Sequence, residues 1–167
     1  MKTNTYDQIL DEAIRLLKEK GAQGFSYQDL SEAVGIKKAS IHYHFPHKED
    51  LLLAIISTQH LNLESYLRLG SSLNPKEKVK YLALLYRKVL EENTNYICPC
   101  GMLAAEWSTL TEKIKEALQR FFDLQRIWLG DGAHSESIVA SLQGLLLMAR
   151  LNHNPLEFFD RQIQLID

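Results

Sequence analysis

Gly35 is the residue that most narrows what this chain can fold into. Before it, Ser26 opens a segment with Leu30 and Val34 on one face, and Asp29 stands where a capping box wants an acid. After it, Lys37 to His44 forms a second short segment, with Ile41 and Phe45 four residues apart, and Pro46 then breaks the pattern. A glycine between two helices lets the backbone turn at once. So short a turn forbids antiparallel stacking, and the two helices must cross steeply, as in a helix-turn-helix. Ala39, Ser40, His42 and Tyr43 then face away from the core, with Lys37 and Lys38 at the N-terminal end. Small residues let the backbone approach a major groove, while hydroxyl, imidazole and ammonium groups bond base edges and phosphates.

The rest of the chain reads as helix. Its four prolines and eight glycines cluster at breaks, and no period-two strand pattern occurs. Ile9, Ala13, Leu16 and Leu17 form one helical stripe before Gly21 and Gly24. A long helix is expected from Lys48 to Arg68, with Glu49 and Asp50 in its first turn. Asn74-Pro75-Lys76-Glu77 and Asn154-Pro155-Leu156-Glu157 each read as a cap, a first-turn proline and a glutamate reaching back. Between them the pattern predicts helices over Pro75–Glu92, Met102–Ser108, Thr111–Leu129 and Ser135–Leu151, with a loop over 130–134. The expected fold class is all-α, with about eight or nine helices.

Charge and cysteine usage exclude several classes. The net charge is −2, but Ile36 to Lys48 holds three lysines, three histidines and no acid, a stretch suited to an anion. No apolar run approaches the ~20 residues of a membrane span. The opening Met1–Asp7 has no apolar stretch behind Lys2, unlike a signal peptide. Two cysteines make no disulfide framework, and a reducing cytoplasm fits best. His42, His44 and His47 lack nearby Cys or acidic ligands and are broken by Pro46, so no metal and no cofactor is expected. G-x-S-x-G, H-E-x-x-H and a phosphate-binding glycine loop are absent, and Glu91-Glu92 reads as a solvated pair. No catalytic residue and no enzyme activity is expected.

Ile9 through Leu52 resembles the DNA-binding region of the TetR family of transcriptional regulators. The residues that carry the resemblance are Ala13, Gly21, Gly24, Phe25, Ser26, Asp29-Leu30, Ala33, Gly35, Ser40-Ile41, Tyr43-His44-Phe45-Pro46 and Lys48-Glu49-Asp50-Leu51. More weakly, Cys100 to Glu106 and Gln143-Gly144 to Arg150 are similar to the ligand-binding and dimerisation part of some members. The resemblance implies a DNA-binding domain over 1–47 and a helical effector-binding and dimerisation domain over 48–167. It implies a homodimer on double-stranded palindromic operator DNA, most often a repressor, released by a small-molecule effector. Carried over by position, Lys37, Lys38, Ala39, Ser40 and His42 form the recognition surface, and Ser26, Tyr27, Tyr43 and Lys48 hold phosphates. The sequence departs from the family at His42, most often Tyr, and at Lys37, where a Ser or Thr cap is common.

Three further readings concern the second half. In Cys98-Pro99-Cys100 a bridge across one residue would be strained. Cys100, just before the helix expected at Met102, is either a thiol sensor of oxidants or electrophiles or a small buried hydrophobe. Tyr66, Tyr81, Tyr86, Trp107, Phe121, Phe122 and Trp128 belong to the core or line a pocket, and Tyr86, Leu103 and Trp107 are the effector candidates beside Cys100. The helices after Thr111 and Ser135 carry apolar residues on more than one face, so each is covered twice. Leu118, Phe122, Trp128, Ser141, Gly144, Leu145 and Met148 are the expected dimer interface, two helices from each copy forming a four-helix bundle. A hairpin that binds protein rather than DNA is the alternative from another class.

Overall fold

Side chains that capture orphan amide donors mark the helix starts. The structure, a computed structural model, describes residues 4–166, so residues 1–3 of the opening segment lie outside it. Among the described residues there are nine α-helices and no strand. Asn4 caps α1 (Thr5–Lys20), and Ser26 with Asp29 forms a complete capping box on α2 (Tyr27–Val34). Gly35 ends α2 at φ 75°, and α3 (Lys38–His44) follows after two residues. The turn is braced locally, because the Ser31 hydroxyl donates to the Ile36 carbonyl at 2.6 Å. Asp50 accepts from the His47 amide at 2.9 Å at the start of α4 (Lys48–Leu69). Asn74 and Glu77 reciprocally cap α5 (Pro75–Glu92).

The later boundaries shift slightly from the expected ones. The helix expected at Met102 begins three residues earlier, as α6 (Pro99–Ala105), followed by a single 3₁₀ turn at Trp107–Thr109. Pro99 supplies the preset φ at the first helical position. Cys100 therefore lies inside the helix, and Cys98 occupies the cap. Next come α7 (Glu112–Leu129), α8 (Ala133–Ala149) and α9 (Pro155–Ile163). Positive φ at Gly130, Asp131 and Gly132 compresses the α7–α8 loop to three residues, so α8 starts two residues before Ser135.

One continuous core runs from Ile9 through Phe159. The long α4 packs against α1 at one end and against α7 beyond it, while α5, α8 and α9 pack on one another. The helical hairpin is therefore mounted through α2 on α1, which in turn packs on α4. No helix among the described residues is long and apolar enough to cross a membrane.

The second apolar face of α7 and α8 is distributed differently from expectation. Leu118 is 1 % exposed, turned with Ile114 and Phe121 into its own chain's core. Trp128 also serves its own chain, lying 6.2 Å from Tyr81 with the Lys78 ammonium above its ring. Leu145 and Phe122 are half-buried against the core. Beyond its first turn, what remains open on α8 is Ser137, Ala140, Ser141, Gly144, Leu147 and Met148, with nothing near a Cβ built at Gly144.

Candidate nucleic-acid interface

The candidate recognition surface is built on a seven-residue helix that cannot stand alone. Ile41 and Phe45 anchor α3 in the core, where Tyr6 packs on Phe45 at 4.9 Å between ring centroids. The outer face carries Lys37, Lys38, Ala39, His42 and Tyr43, all exposed, with Ser40 half-buried beside them. Tyr43 is 83 % exposed, an aromatic that the protein's own packing leaves uncovered. Lys37 and Lys38 form no ion pair among the described residues. Lys37 occupies the helix cap without a side-chain hydrogen bond, so the first amides of α3 stay free.

His42 is oriented by the protein itself. Its Nδ1 lies 3.3 Å from the Pro46 carbonyl oxygen, and its ring rests edge-on against Tyr27 at 4.9 Å. A carbonyl only accepts, so this contact needs the proton on Nδ1, and in that neutral tautomer Nε2 is the acceptor.

Two residues expected to hold phosphates have structural duties. Tyr27 is buried, and its hydroxyl donates to the Phe45 carbonyl at 2.9 Å, tying the end of α3 to α2. Burial, with Asp50 nearby, pushes this phenol up to about 12, so it stays a donor at any ordinary pH. Its side chain is therefore not on the outer surface; Ser26, by contrast, is exposed at the α2 start. Lys48 is half-buried, its ammonium 4.4 Å from the Phe25 ring centroid and donating to the carbonyls of Ala22 and Phe25. Burial lowers its affinity for the proton below that of an ordinary lysine. Two of its three donors thus close the α1–α2 turn. Lys48→Met should lower stability by about 1–3 kcal/mol, because two carbonyls lose a charged partner. Denaturant unfolding without DNA checks this; an unchanged midpoint would return Lys48 to a purely external role.

A second feature lies behind the hairpin. A cavity of about 250 Å³ opens between α4, α5, α7 and the start of α6. Leu63, Val89 and Phe121 form its apolar wall, and Gln59, Asn62 and Cys98 supply polar atoms. Its floor is closed by a buried chain: Tyr86 donates to Gln125 at 2.7 Å, and Gln143 donates to Tyr86 at 2.9 Å. Lys18, paired with Glu92, and Lys88 stand at the rim. Of the four effector candidates, Tyr86 alone borders this space. Cys100 and Leu103 are sealed in the core at 0 % exposure, because α6 starts earlier and turns them inward. Trp107 sits at the surface on the 3₁₀ turn, with Lys115 over its ring at 5.6 Å. The cysteine on the wall is Cys98, not the expected Cys100.

The cavity and the hairpin are joined by α6. Glu106, just past its C-terminus, accepts from the Ala22 amide at 2.8 Å, a contact between residues 84 apart in sequence. At the other end, the Ile97 amide donates to the Lys18 carbonyl at 3.3 Å. No sequence signal marked Glu106 for this role.

A family model described as bacterial regulatory proteins, tetR family, matches residues 9–55. A TetR transcriptional regulator from Legionella pneumophila is 31 % identical, with a TM-score of 0.82, covering 99 % of this chain and 98 % of that one. The chain belongs to the TetR family. Among other relatives of this TetR-family regulator, an uncharacterised HTH-type transcriptional regulator from Lactococcus lactis is 26 % identical over 90 % of this chain and 86 % of its own. The biofilm operon icaADBC negative transcriptional regulator IcaR of Staphylococcus epidermidis is 49 % identical over 45 residues, which span 27 % of this chain and 24 % of that protein. Regulators of this family bind DNA, and the all-α fold agrees with them.

Proposed function

We propose that this TetR-family transcriptional regulator is a homodimeric repressor that binds palindromic operator DNA and leaves it when a small molecule enters the α4–α5–α7 cavity. The observation that carries the reading is the outer face of α3, which exposes Lys37, Lys38, Ala39, His42 and Tyr43 and offers no acid. Lys37, Lys38 and Tyr43 serve phosphates, whereas the hydroxyl of Ser26 and the Gln28 and Asp29 amides are taken up by the capping box at the start of α2. Ser40 and His42 read bases. The acceptor Nε2 of His42 suits the amino donors of adenine or cytosine in the major groove. The name of IcaR, a negative regulator, supports the sign of regulation.

The domains divide at 1–47 and 48–167, although their cores are continuous. The open face of α8 supports the dimer, since a monomer seldom leaves such a patch in water. A two-fold axis there sets the two α3 helices about one DNA turn, or about 34 Å, apart. Ligand reaches the DNA through α6: a shift at Cys98-Pro99 moves Glu106, which holds the α1–α2 turn.

Selection from a random DNA pool at low salt tests this. The expected result is a palindrome with half-sites about one turn apart. His42→Ala should then relax preference at one base pair per half-site by about 1–3 kcal/mol, with little effect on non-specific affinity. Failure of the folded protein to enrich any sequence would count against DNA reading and favour a hairpin that binds protein.

A further inference from the structure

The buried chain on the cavity floor has a direction. Gln143 donates to the Tyr86 hydroxyl at 2.9 Å, and Tyr86 donates to the Gln125 side-chain carbonyl at 2.7 Å. Burial pushes the Tyr86 phenol well up, so its single proton stays and is committed to Gln125. The chain therefore ends on the amino group of Gln125, Nε2. The Phe121 carbonyl, one turn earlier on α7, fixes that assignment, because it faces the carboxamide and can only accept. It lies 3.5 Å from Nε2, at the outer limit of a hydrogen bond, and engages at most one of the two amino protons. No other acceptor meets Nε2 among the described residues. Gln125 is 1 % exposed, yet it borders the cavity. A buried donor is costly to leave without a partner. The two bonds upstream polarise this one toward an acceptor, and the cavity is where an acceptor can come from.

The rest of the cavity limits what that acceptor can be. Leu63, Leu85, Val89 and Phe121 give it an apolar wall. The cations that border it, Lys18 and Lys88, stand at the rim, and Lys18 is already paired with Glu92. A carboxylate brought down to Gln125 would leave water with no charged partner beside it, which costs far more than burying a neutral oxygen. A carbonyl oxygen accepts without bringing a proton of its own, and its carbon skeleton can lie along the apolar wall.

We propose that the α4–α5–α7 cavity takes a small, neutral, largely apolar carbonyl compound, a ketone or an ester, whose oxygen accepts from Gln125 Nε2. Gln125 then sets the class of ligand, and its consequence for DNA rests on this cavity being the effector site. The other end of the chain suits that role. Gln143 stands on α8 close against Gly101 of α6, where an added Cβ would press on its amide.

The test uses the full chain and three probes of similar shape: acetophenone, ethylbenzene and benzoate. Dissociation constants come from titration followed by nuclear magnetic resonance. Gln125→Leu should weaken acetophenone by at least about ten-fold and leave ethylbenzene bound no more weakly than in wild type, because only the ketone loses a partner. Benzoate should bind the wild type at least about ten-fold more weakly than acetophenone. A second measurement needs no variant. In the wild type, a Gln125 side-chain amide proton should shift with acetophenone and not with ethylbenzene, and the isotopically labelled carbonyl of the bound ketone should move downfield. The proposal would be overturned by a folded Gln125→Leu that treats the two neutral probes alike, by benzoate binding more tightly than acetophenone, by no response at the Gln125 amide, or by failure of acetophenone to bind. DNA affinity is measured separately with the ketone in excess. Unchanged DNA binding with the ketone seated on Gln125 leaves the ligand class standing and rejects effector-controlled release.

Discussion

Gly144→Arg is expected to give a folded monomer that has lost nearly all specific DNA binding. Nothing lies near a Cβ at residue 144, so the arginine harms no contact within its own chain. Its flanks are Ala140, Ser141, Leu147 and Met148, small or apolar and exposed, with Leu147 at 55 % and Met148 at 47 %. Burying such a face against a second copy places each arginine in an apolar interface without a partner, at about 3–5 kcal/mol apiece. An isologous interface meets the substitution twice. Each 1.4 kcal/mol is ten-fold, so the dimer dissociation constant should rise by at least about ten-thousand-fold. Operator binding should fall with it, because one half-site alone loses the gain from tethering two. Sedimentation gives the mass, and helical circular dichroism confirms the fold. A dimer untouched by the substitution would move the interface elsewhere. Gly144 is the better probe than Leu145, because Leu145 is half-buried against its own core and its replacement would mix unfolding with dissociation.

Features of this molecule that are decided within a few residues were readable in advance. Ser26 with Asp29, Gly35, and Asn74-Pro75 with Glu77 act through bonds spanning three to five positions, and each stands where its local chemistry put it. The Asn154 cap shows the margin of that reading. Asn154 accepts from the Glu157 amide, but Glu157 meets the asparagine side chain rather than its backbone N–H. The start of α6 escaped because Cys98 offers no capping side chain and seven residues show no periodicity, although Pro99 carried the same first-turn signal as Pro75. Leu118 and Trp128 mark a different limit. A helix apolar on two faces does not say which face its own chain covers, and here α4 and Tyr81 claimed them. Lys48 marks a third. Its charge suits a phosphate, but its direction is set by two carbonyls 26 and 23 residues earlier. Cys98 and Glu106 took their roles from contacts that only the folded chain brings together.

The largest stability loss is expected from Gly21→Ala, and the reason lies in that last contact. Gly21 ends α1 at φ 77°, ψ 171°, a conformation that is essentially glycine's own and costs an alanine about 1–3 kcal/mol. A Cβ at this position would also run into the Glu106 carboxylate. That carboxylate holds the Ala22 amide, and displacing it costs the charged hydrogen bond, about 1.5–3 kcal/mol. The two losses together approach the lower end of a whole domain's stability of about 5–15 kcal/mol. A double-mutant cycle separates them. In a Glu106→Ala background the collision and the hydrogen bond are both gone, so Gly21→Ala should cost less there by at least about 1 kcal/mol, leaving only backbone strain. Denaturant midpoints at constant slope give all four values. Equal costs in the two backgrounds would mean that Glu106 does not hold the turn, and the route from the cavity through α6 to the hairpin would lose its last link.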